Sequence, residues 1–538
     1  MSWLVFLSTA AVVVAIFISV PAAQRLADSI ARLASRIARR PFFAEAVVFC
    51  FAFVLAAIPS LIWSVPLASE PDEFSYLLAA DTFAHGRLSN LPHPMTDALE
   101  YADTIQRPTY ASKHPPAQGL VLALGLKLAN FPILGVWVAG ALACATIVWM
   151  LRPIAPPRWA LLAGIVAAMH PLIAAWNQSY WGGNVPLLGG ALTLGAVLRM
   201  TRRSNLRDAF IAGIGLSILA LSRPFEGAIF ALLLAIFFLL RLSALSIVEG
   251  RFRNPIFVLA PLLPALIFLA FYNSRVTGDW KLFPHRLHQS QYMITPRFFW
   301  ERPRPDLHFN SPIMHDFAMI EFDEYQQHVG WKNYLHSITL KYRILVNRYL
   351  PPSLLLAAIF GAIAAMRTRR WTTHLALALV VLLPLIHLAI IPITRTPYFA
   401  PAFGALFILI IAGLRSLRRL PRVASIAVTI TLASIAAAWV QTTPSLALDA
   451  HSGPAVRQSQ EIERLSRLPS KHLVLVRYTG TRTPLYDFVH NGADIDGAKI
   501  VFARSIDAER DRALLNYFHD RTTWLLTQDD STLSFLQF

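Results

Sequence analysis

Long apolar stretches recur along this chain and decide most of what it can fold into. A stretch of roughly 17–25 apolar residues is long enough to cross the hydrocarbon core of a bilayer as a helix. We predict twelve such spans, at 3–21, 44–66, 132–151, 158–176, 184–199, 207–222, 225–241, 256–273, 351–367, 371–391, 399–415 and 423–440. Only 15% of the residues are charged, against about 25% in soluble domains. The sequence therefore predicts an α-helical polytopic membrane protein, and excludes a soluble enzyme, a disordered chain and a disulfide scaffold.

The arginines predict how the chain is oriented. Short cytoplasmic loops of membrane proteins retain Lys and Arg. All of the arginine clusters fall on one side of the predicted spans, at 25–40, 152–158, 199–207, 241–253, 367–370 and 415–422. The formal net charge of +17 resides in these loops, so it indicates orientation and contact with anionic membrane lipids, and no nucleic-acid partner is expected. We expect a multi-pass protein of a bacterial plasma membrane, with a periplasmic N-terminus and a periplasmic C-terminal domain.

Two apolar segments admit a second interpretation. Residues 117–129 are short for a span, and counting them as one would invert every later loop, so we place them as a juxtamembrane or re-entrant helix on the outer face. Segment 3–21 ends near a small-residue pattern that resembles a signal-peptide cleavage site. It lacks a positive n-region, however, and the arginine-rich stretch after it should stay inside, so we interpret it as an anchor helix.

Three large polar segments, 67–131, 274–350 and 441–538, lie on the predicted outer side. The last has a soluble composition, with helix patterns at 455–467 and 507–518 and strand patterns at 471–478, 498–503 and 522–527. Strands that alternate with helices indicate a small α/β domain with a parallel sheet. We divide the chain into an anchor with its arginine-rich segment (1–43), a transmembrane module (44–440) and a C-terminal α/β domain (441–538).

An acidic pair follows the second span. Pro71 is a natural first residue of a helix, which puts Asp72 and Glu73 in the first turn, where the helix dipole favours ionised carboxylates. An ionised carboxylate is what a general base or a cation ligand must be. Both acids could serve only to begin the helix. Their position, where a membrane helix reaches the outer surface, favours a chemical role.

A basic pair closes the same loop. Lys113 and His114 precede Pro115 and Pro116, which fix an extended entry into the apolar helix at 117–129. The pair is thereby held at headgroup level beside a helix N-terminus, where an anion such as a lipid phosphate is favoured. The alternative is ordinary snorkelling of Lys113 toward the interface.

These motifs resemble those of the GT-C glycosyltransferases. The acidic pair after an early span, Tyr-Leu-Leu-Ala-Ala-Asp at 76–81 and Lys-His-Pro-Pro at 113–116 before a Leu-rich helix are similar to the protein O-mannosyltransferase and aminoarabinose transferase group. The resemblance implies a GT-C-like fold of about twelve transmembrane helices with outer-face juxtamembrane helices, and makes 44–440 the catalytic module. It also implies inverting transfer of a sugar from a polyprenyl-phosphate donor to a protein, lipid or glycan acceptor at the periplasmic face.

The same resemblance assigns roles to the two pairs. Asp72 matches the catalytic base, and Glu73 becomes a helper or cation ligand, with Mg, Mn or Zn as the cofactor such a ligand would hold. Relatives often carry Glu-Lys-Pro-Pro where this chain has Lys-His-Pro-Pro. Which of Lys113 and His114 meets the donor phosphate therefore stays open, and a metal ligand supplied by that Glu cannot be carried over.

Further residues of the predicted outer face are candidates for the donor and sugar sites. Charges at a membrane boundary are costly unless they are paired or functional, so Arg223 and Arg395 are predicted to contact the lipid phosphate. Sugar sites combine aromatic, amide and charged groups, and the candidates for this site are Tyr76, Tyr180, Trp181, Asn184, Glu226, His285 and Tyr292. Mutual ion pairs, an interfacial aromatic belt or a solvated loop would explain the same residues without a function.

Other functional classes remain open at this stage. Twelve spans would suit a polytopic transporter, although the acids avoid the span centres and no internal repeat is present. A glycan ligase or polymerase that uses a lipid-diphosphate donor would resemble this chain less, because such proteins lack the early acidic pair. A non-catalytic scaffold that binds glycans through 441–538 is the third alternative.

Overall fold

The computed structural model describes residues 3–203, 205–243, 254–368, 370–449, 454–479, 487–528 and 533–537. Its helices are α1 (Trp3–Ser19), α2 (Pro21–Ala38), α3 (Pro41–Ile62), α4 (Pro71–Ala84), α5 (Thr96–Leu99), α6 (Pro116–Ala129), α7 (Ile133–Leu151), α8 (Pro157–Ala168), α9 (Pro171–Asn177), α10 (Asn184–Met200), α11 (Leu206–Ser222), α12 (Pro224–Ser243), α13 (Asn254–Thr277), α14 (Pro284–Tyr292), α15 (Pro312–Gln326), α16 (Trp331–Tyr349), α17 (Pro352–Thr368), α18 (Trp371–Ile390), α19 (Ala400–Ser416), α20 (Pro421–Asp449), α21 (Pro454–Ser466) and α22 (Ala508–Tyr517). Its strands are β1 (Thr104–Ile105), β2 (Ala111–Ser112), β3 (His472–Tyr478), β4 (Ile500–Arg504), β5 (Thr522–Gln528) and β6 (Leu533–Gln537).

The predicted spans coincide with helices. Each of the twelve matches one helix, except 158–176, which is the pair α8 and α9 with a bend of 55° between them. By length and composition, seven of the described helices could cross a membrane, or up to ten if each bent pair is one span. The chain is a polytopic helical membrane protein, as the apolar stretches predicted, and 117–129 is indeed a short apolar helix, α6.

Proline sets where several helices begin. Proline lacks an N–H group and weakens the interior of a helix, but it is well suited to the first turn. Helices α4 and α6 begin at Pro71 and Pro116, as the sequence predicted. The same rule explains α2, an amphipathic helix that the sequence analysis did not predict, which begins at Pro21 and bends by 106° from α1.

Small residues allow close packing between helices α17 and α19. A Cβ atom on Gly361 would overlap the carbonyl oxygen of Leu409, and one on Gly413 would overlap that of Ala357. Small residues at such positions let membrane helices approach until their backbones touch. The contact fixes α19, whose first turn follows the segment that contains Arg395.

Contacts join three of the arginine-rich loops at one end of the helical bundle. Arg152 donates to the carbonyl oxygens of Ala38 and Pro41, and Arg415 donates to that of Ile154. The polar segments 67–131 and 274–350 gather with the C-terminal domain at the other end, through contacts described below. Three of the six predicted basic loops therefore lie together, apart from the large polar segments.

The C-terminal α/β domain contains a four-stranded sheet in the order β4-β3-β5-β6. Strand β3 pairs in parallel with β4 and β5, as predicted, whereas β6, which was not predicted, pairs with β5 in antiparallel. The domain packs on the first polar segment, since Leu78 and Tyr110 share an apolar cluster with β3 and β4. The Asp81 carboxylate also accepts a hydrogen bond of 2.7 Å from the Ala493 N–H. The sheet therefore supports helix α4 from behind.

Candidate active site

A cavity of about 430 Å³ lies at the polar-segment end of the bundle. Its wall comes mainly from the start of α4, the segment after β2, the α11–α12 turn, the segment 283–298, helix α15 and the segment 391–398. The candidate residues that line it are Asp72, Lys113, His114, Trp181, Arg223, Glu226, His285 and Arg395. Residues that are far apart in sequence thus meet around one space.

Asp72, in the first turn of α4, faces this cavity. Its Oδ1 lies 2.9 Å from Nε2 of His114 and 3.8 Å from Nζ of Lys113, and its side chain keeps 23% exposure. Burial alone would raise the pKa of Asp72, but the Lys113 charge and the hydrogen bond with His114 hold that pKa well below its usual range. Asp72 is therefore an ionised carboxylate that an incoming group can reach.

A two-stranded hairpin positions the partners of Asp72. Thr104 of β1 pairs with Ser112 of β2, so Asp103 and Lys113 form the next pair beyond the ladder, and the Lys113 N–H donates to the Asp103 carbonyl oxygen at 3.3 Å. Asp103 has a φ of 63°, a left-handed conformation that aspartate tolerates. The hydroxyl of Ser75 donates to that same carbonyl oxygen at 2.6 Å and therefore ties α4 to the hairpin.

Lys113 forms a buried ion pair with Asp103. Its ammonium contacts the Asp103 carboxylate directly, and both side chains are almost fully buried. Burial alone would lower the pKa of Lys113, but the charges on Asp103 and Asp72 raise that pKa above its usual value. Lys113 is therefore a charged cation between two carboxyl groups, of which Asp72 is ionised, while burial raises the pKa of Asp103 to about 8. The sequence analysis did not predict Asp103, because only the hairpin register identifies it as the partner of Lys113.

His114 is held as a neutral aromatic side chain. Its ring stacks on the ring of Tyr76, with centroids 4.0 Å apart and planes 14° from parallel. Burial lowers the pKa of His114 to about 4, against which the Asp72 contact acts only partly. Tyr76, predicted to bind sugar, lies behind His114 and does not line the cavity.

Glu73 points away from the cavity. Its Oε2 accepts hydrogen bonds from the N–H groups of Ser69 and Glu70 at 2.9 and 3.3 Å, and its Oε1 accepts from the Ser179 hydroxyl and the Tyr180 N–H at 2.7 and 2.9 Å. Successive residues on a helix point about 100° apart, and here Asp72 lines the cavity whereas Glu73 does not. The Glu73 carboxylate therefore holds the first turn of α4 in place.

Three other candidates also lie outside the cavity wall. The Tyr180 hydroxyl donates to the Pro66 carbonyl oxygen at 2.9 Å, and the Asn184 amide donates to the Asn177 side chain at 2.8 Å. The Tyr292 ring lies 5.2 Å from the ring of His288, which does line the cavity. These side chains support the segments that form the wall.

The arginines around the cavity differ in whether a carboxylate already pairs with them. Arg395 lies 3.0 Å from Glu324, and Arg286 lies 2.7 Å from Glu301. Arg223 is buried, stacks 4.8 Å from the centre of the Tyr398 ring and has a guanidinium nitrogen without any hydrogen-bond partner. Within the described part of the chain, Arg223 therefore keeps capacity to bind an anion.

Two lining residues missed by the sequence analysis also have unused polar groups. Arg297, in the segment after α14, makes no side-chain ion pair with any described residue, although its charge acts on Glu226. Glu321 of α15 faces the same space, and burial raises the pKa of its carboxyl group. Neither residue belongs to a recognisable motif, so only the folding of the segment 274–350 brings it to the site.

Glu226 and two histidines complete the polar wall. The Glu226 carboxylate lies 3.1 Å from Nδ1 of His387, and both side chains are buried. Burial lowers the pKa values of His285 and His288 well below the usual range, so both rings are neutral. The Nε2 atom of each ring is buried without a hydrogen-bond partner in the described residues. Both rings can therefore accept or donate a hydrogen bond to a ligand hydroxyl.

Three side chains have the chemistry to hold a metal ion. One ligand atom each from Asp72, Asp103 and His114 lies within 4.8 Å of the others, and carboxylate and imidazole groups are common ligands of Zn and Mn. The ammonium of Lys113 nevertheless contacts Asp103 and neighbours Asp72 in the same small space. A divalent cation fits this arrangement only if Lys113 moves away. Glu73, the ligand considered from the sequence, is not part of the group.

Comparisons with known proteins show the fold to which this arrangement belongs. No family model matches the chain, and no curated protein matches its sequence. Among solved structures, ArnT from Cupriavidus metallidurans bound to undecaprenyl phosphate is similar at 13% identity and a TM-score of 0.54, over 90% of this chain and 93% of that one. Its apo form gives 12% identity and a TM-score of 0.52 over the same shares.

A second kind of protein has the same architecture. The oligosaccharyltransferase of Archaeoglobus fulgidus in complex with Zn and sulfate is 13% identical, with a TM-score of 0.50, over 89% of this chain and 67% of that one. ArnT and the oligosaccharyltransferase are GT-C glycosyltransferases. The chain has the GT-C fold, as the motifs at 71–81 and 113–116 led us to expect.

Proposed function

We propose that this protein is a membrane glycosyltransferase that takes a sugar from a polyprenyl-phosphate-linked donor and transfers it, with inversion, to an acceptor at the extracytoplasmic face. The observation that carries the proposal is the position of Asp72, an ionised carboxylate that faces a cavity bordered by arginines. The shared fold with ArnT, solved with undecaprenyl phosphate, supports a lipid phosphate as the ligand.

We assign the donor phosphate mainly to Arg223, assisted by Arg297. A guanidinium without a carboxylate partner can offer its full hydrogen-bonding capacity to phosphate oxygens. Lys113 and Arg395, which were also candidates from the sequence, already pair with Asp103 and Glu324. They contribute positive potential at longer range.

The reaction that we propose is a single displacement. The acceptor hydroxyl or amine attacks the anomeric carbon of the sugar while Asp72 removes its proton. The bond between that carbon and the phosphate oxygen breaks, and its electron pair leaves with the lipid phosphate. Arg223 stabilises the negative charge that develops there. One displacement on one face inverts the configuration at the anomeric carbon.

Other lining residues are assigned to the sugar and the acceptor. Neutral His285 and His288 provide hydrogen-bonding nitrogens for sugar hydroxyls, and Trp181 provides an apolar ring face. Glu226, in the first turn of α12, lines the cavity and provides a carboxylate acceptor. The C-terminal domain lies beside α4 at this same end of the bundle, so a protein, lipid or glycan acceptor could be recognised there.

The orientation of the reaction follows from the arginine-rich loops. Three of these loops, at 25–40, 152–158 and 415–422, contact one another away from the cavity-lining residues, and positive loops remain in the cytoplasm. We therefore place the cavity and the C-terminal domain on the periplasmic side of a bacterial plasma membrane.

Two measurements test the proposed function. Mass spectrometry of lipid that co-purifies with the protein should reveal a polyprenyl-phosphate sugar, which then serves as donor in a reconstituted transfer assay. Asp72→Asn should reduce transfer by at least about 100-fold while donor binding persists. Asp520→Asn, an exposed aspartate of the C-terminal domain, is the matched control. Undiminished transfer by Asp72→Asn would contradict the proposal.

A further inference from the structure

The three possible metal ligands Asp72, Asp103 and His114 already have a cation beside them, the ammonium of Lys113. The Lys113 ammonium contacts Oδ1 of Asp103 and lies 3.8 Å from Oδ1 of Asp72, while His114 Nε2 lies 2.9 Å from that same Asp72 atom. A metal ion that bound all three ligands would have to lie about 2 Å from each of them. That space is next to the ammonium.

The fold holds Lys113 in place from several directions. Its backbone N–H extends the β1–β2 hairpin to Asp103, and the neighbouring Ser112 hydroxyl lies 2.8 Å from the Ser75 hydroxyl of α4. The side chain is only 8% exposed. A buried ammonium that left two carboxylates would have to find new partners or water, so Lys113 is not free to give way to a metal ion.

We propose that Lys113 takes the place of a divalent metal ion in this site, so that its ammonium balances Asp72 and Asp103 and the protein binds no metal there. The electrostatic consequence is the one that a bound cation would have: Asp72 stays ionised and fixed beside His114. Lys113 is then a positioning residue for Asp72. This catalytic use rests on the proposed function, whereas the exclusion of metal does not.

Binding of Mn²⁺ tests the proposal directly. The wild-type protein is stripped with EDTA and titrated with Mn²⁺ while free Mn²⁺ is followed by electron paramagnetic resonance. We expect wild type and Asp72→Asn to bind Mn²⁺ identically, because no site depends on Asp72. A wild-type site that disappears in Asp72→Asn would overturn the proposal.

Removal of the Lys113 ammonium should create a Mn²⁺-binding site at Asp72, Asp103 and His114. Lys113→Met leaves Asp72, Asp103 and His114 without a cation, so we expect it to bind Mn²⁺ at least about tenfold more tightly than wild type and to unfold at a higher temperature when Mn²⁺ is added. Lys113→Arg keeps the charge and should gain no affinity. Lys127→Met, an exposed lysine on α6, is the matched control.

A double variant and an activity measurement separate the remaining explanations. Lys113→Met with Asp103→Asn removes one charge of each sign and should lose the new Mn²⁺ site. A folded Lys113→Met that gains no Mn²⁺ affinity contradicts the proposal, and if Lys113→Met does not fold, the comparison of wild type with Asp72→Asn decides. EDTA-treated wild type should retain transfer. Protein that is inactive both with and without Mn²⁺ would count against the proposed function, and the binding result would stand independently.

Discussion

The ring of Phe74 in α4 packs against the ring of His490 in the C-terminal domain, with centroids 3.8 Å apart and planes inclined by 34°. Burial lowers the pKa of His490 to about 3, so the imidazole is neutral and acts as an aromatic partner. Phe74 lies two residues after Asp72 on the same helix, and Asp81 binds the backbone of Ala493 farther along it. The C-terminal domain therefore bears directly on the helix that carries the proposed base.

Replacement of His490 should affect catalysis indirectly, because His490 contacts the helix that carries Asp72. His490→Ala removes a ring contact worth about 1 kcal/mol and loosens α4, so we expect kcat to fall severalfold while the KM for the donor changes little. His490→Phe keeps an aromatic partner and should remain close to wild type. Transfer kinetics and thermal unfolding would be measured together, with His519→Ala, an exposed histidine of the same domain, as control. An unchanged kcat in His490→Ala would show that the domain does not position α4.

Arg223 should matter more for the donor than Arg395 does. Arg223→Gln removes a guanidinium that pairs with no carboxylate among the described residues, so the KM for the donor should rise about tenfold or more. Arg395→Gln removes a guanidinium that is already paired with Glu324, and it should therefore have a smaller effect. In that variant Glu324 would still be paired with Lys341, whose ammonium lies 2.7 Å from its carboxylate. Steady-state kinetics at varied donor concentration distinguish the two. Equal effects would mean that the phosphate lies between them.

Acid should destabilise the folded protein through its buried neutral histidines. The pKa of His114 falls to about 4 on folding, whereas an imidazole in the unfolded chain takes up a proton below about pH 6.5. The unfolded state therefore binds more protons between these values, and stability is lost as the pH falls from about 6.5 to 4, by about 3 kcal/mol for this one group.

The pH dependence of thermal unfolding measures this effect. The unfolding temperature should fall steadily between pH 7 and pH 4, and His114→Gln should show a shallower decline because one titrating group is gone. His336→Gln, which changes an exposed histidine on α16, is the control. An identical decline in His114→Gln and wild type would contradict the neutral state of His114.

Glu73 should contribute to stability more than to chemistry. Glu73→Ala leaves four donors, from Ser69, Glu70, Ser179 and Tyr180, without their acceptor, so we expect a loss of about 3 kcal/mol in the free energy of unfolding. Glu73→Gln retains one acceptor oxygen and should cost less. Unfolding would be followed together with transfer at a temperature where both variants are folded. If Glu73→Gln lost most of its transfer activity while its stability was unchanged, Glu73 would instead act in catalysis, as the helper that the sequence suggested.

Local sequence patterns predicted the helices well because each pattern is a property of a few neighbouring residues. Apolar length determines a span, and Pro71 and Pro116 mark where α4 and α6 begin. The same patterns identified Asp72, Lys113 and Arg223 as residues to expect near one site. Helix periodicity alone, however, does not tell which of two adjacent acids faces inward, and Asp72 and Glu73 were distinguished only by the packing of α4 against 179–180.

The remaining site residues depend on contacts between distant segments. Asp103 is recognisable only once the register of β1 and β2 places it opposite Lys113. Arg297 and Glu321 come from the segment 274–350, in which short helices and loops fold over the cavity without a sequence motif. Tyr180 and Asn184 were expected in the site because of their chemistry, yet the Tyr180 hydroxyl donates to Pro66 and the Asn184 NH2 group donates to Asn177, outside the cavity wall.

The mixed wall of the cavity has a consequence for how two unlike reactants could meet. One part of the wall comes from the ends of apolar helices, at Phe225 and Glu226 of α12 and Ile391 after α18, and another from the polar segments, at Asp72 and Glu321. For the proposed reaction, a lipid-linked donor would then meet the part of the wall formed by helix ends, and a water-soluble acceptor would meet the part formed by the polar segments. The cavity would then let the two reactants meet at the boundary between lipid and water, so that the donor need not enter water and the acceptor need not enter lipid.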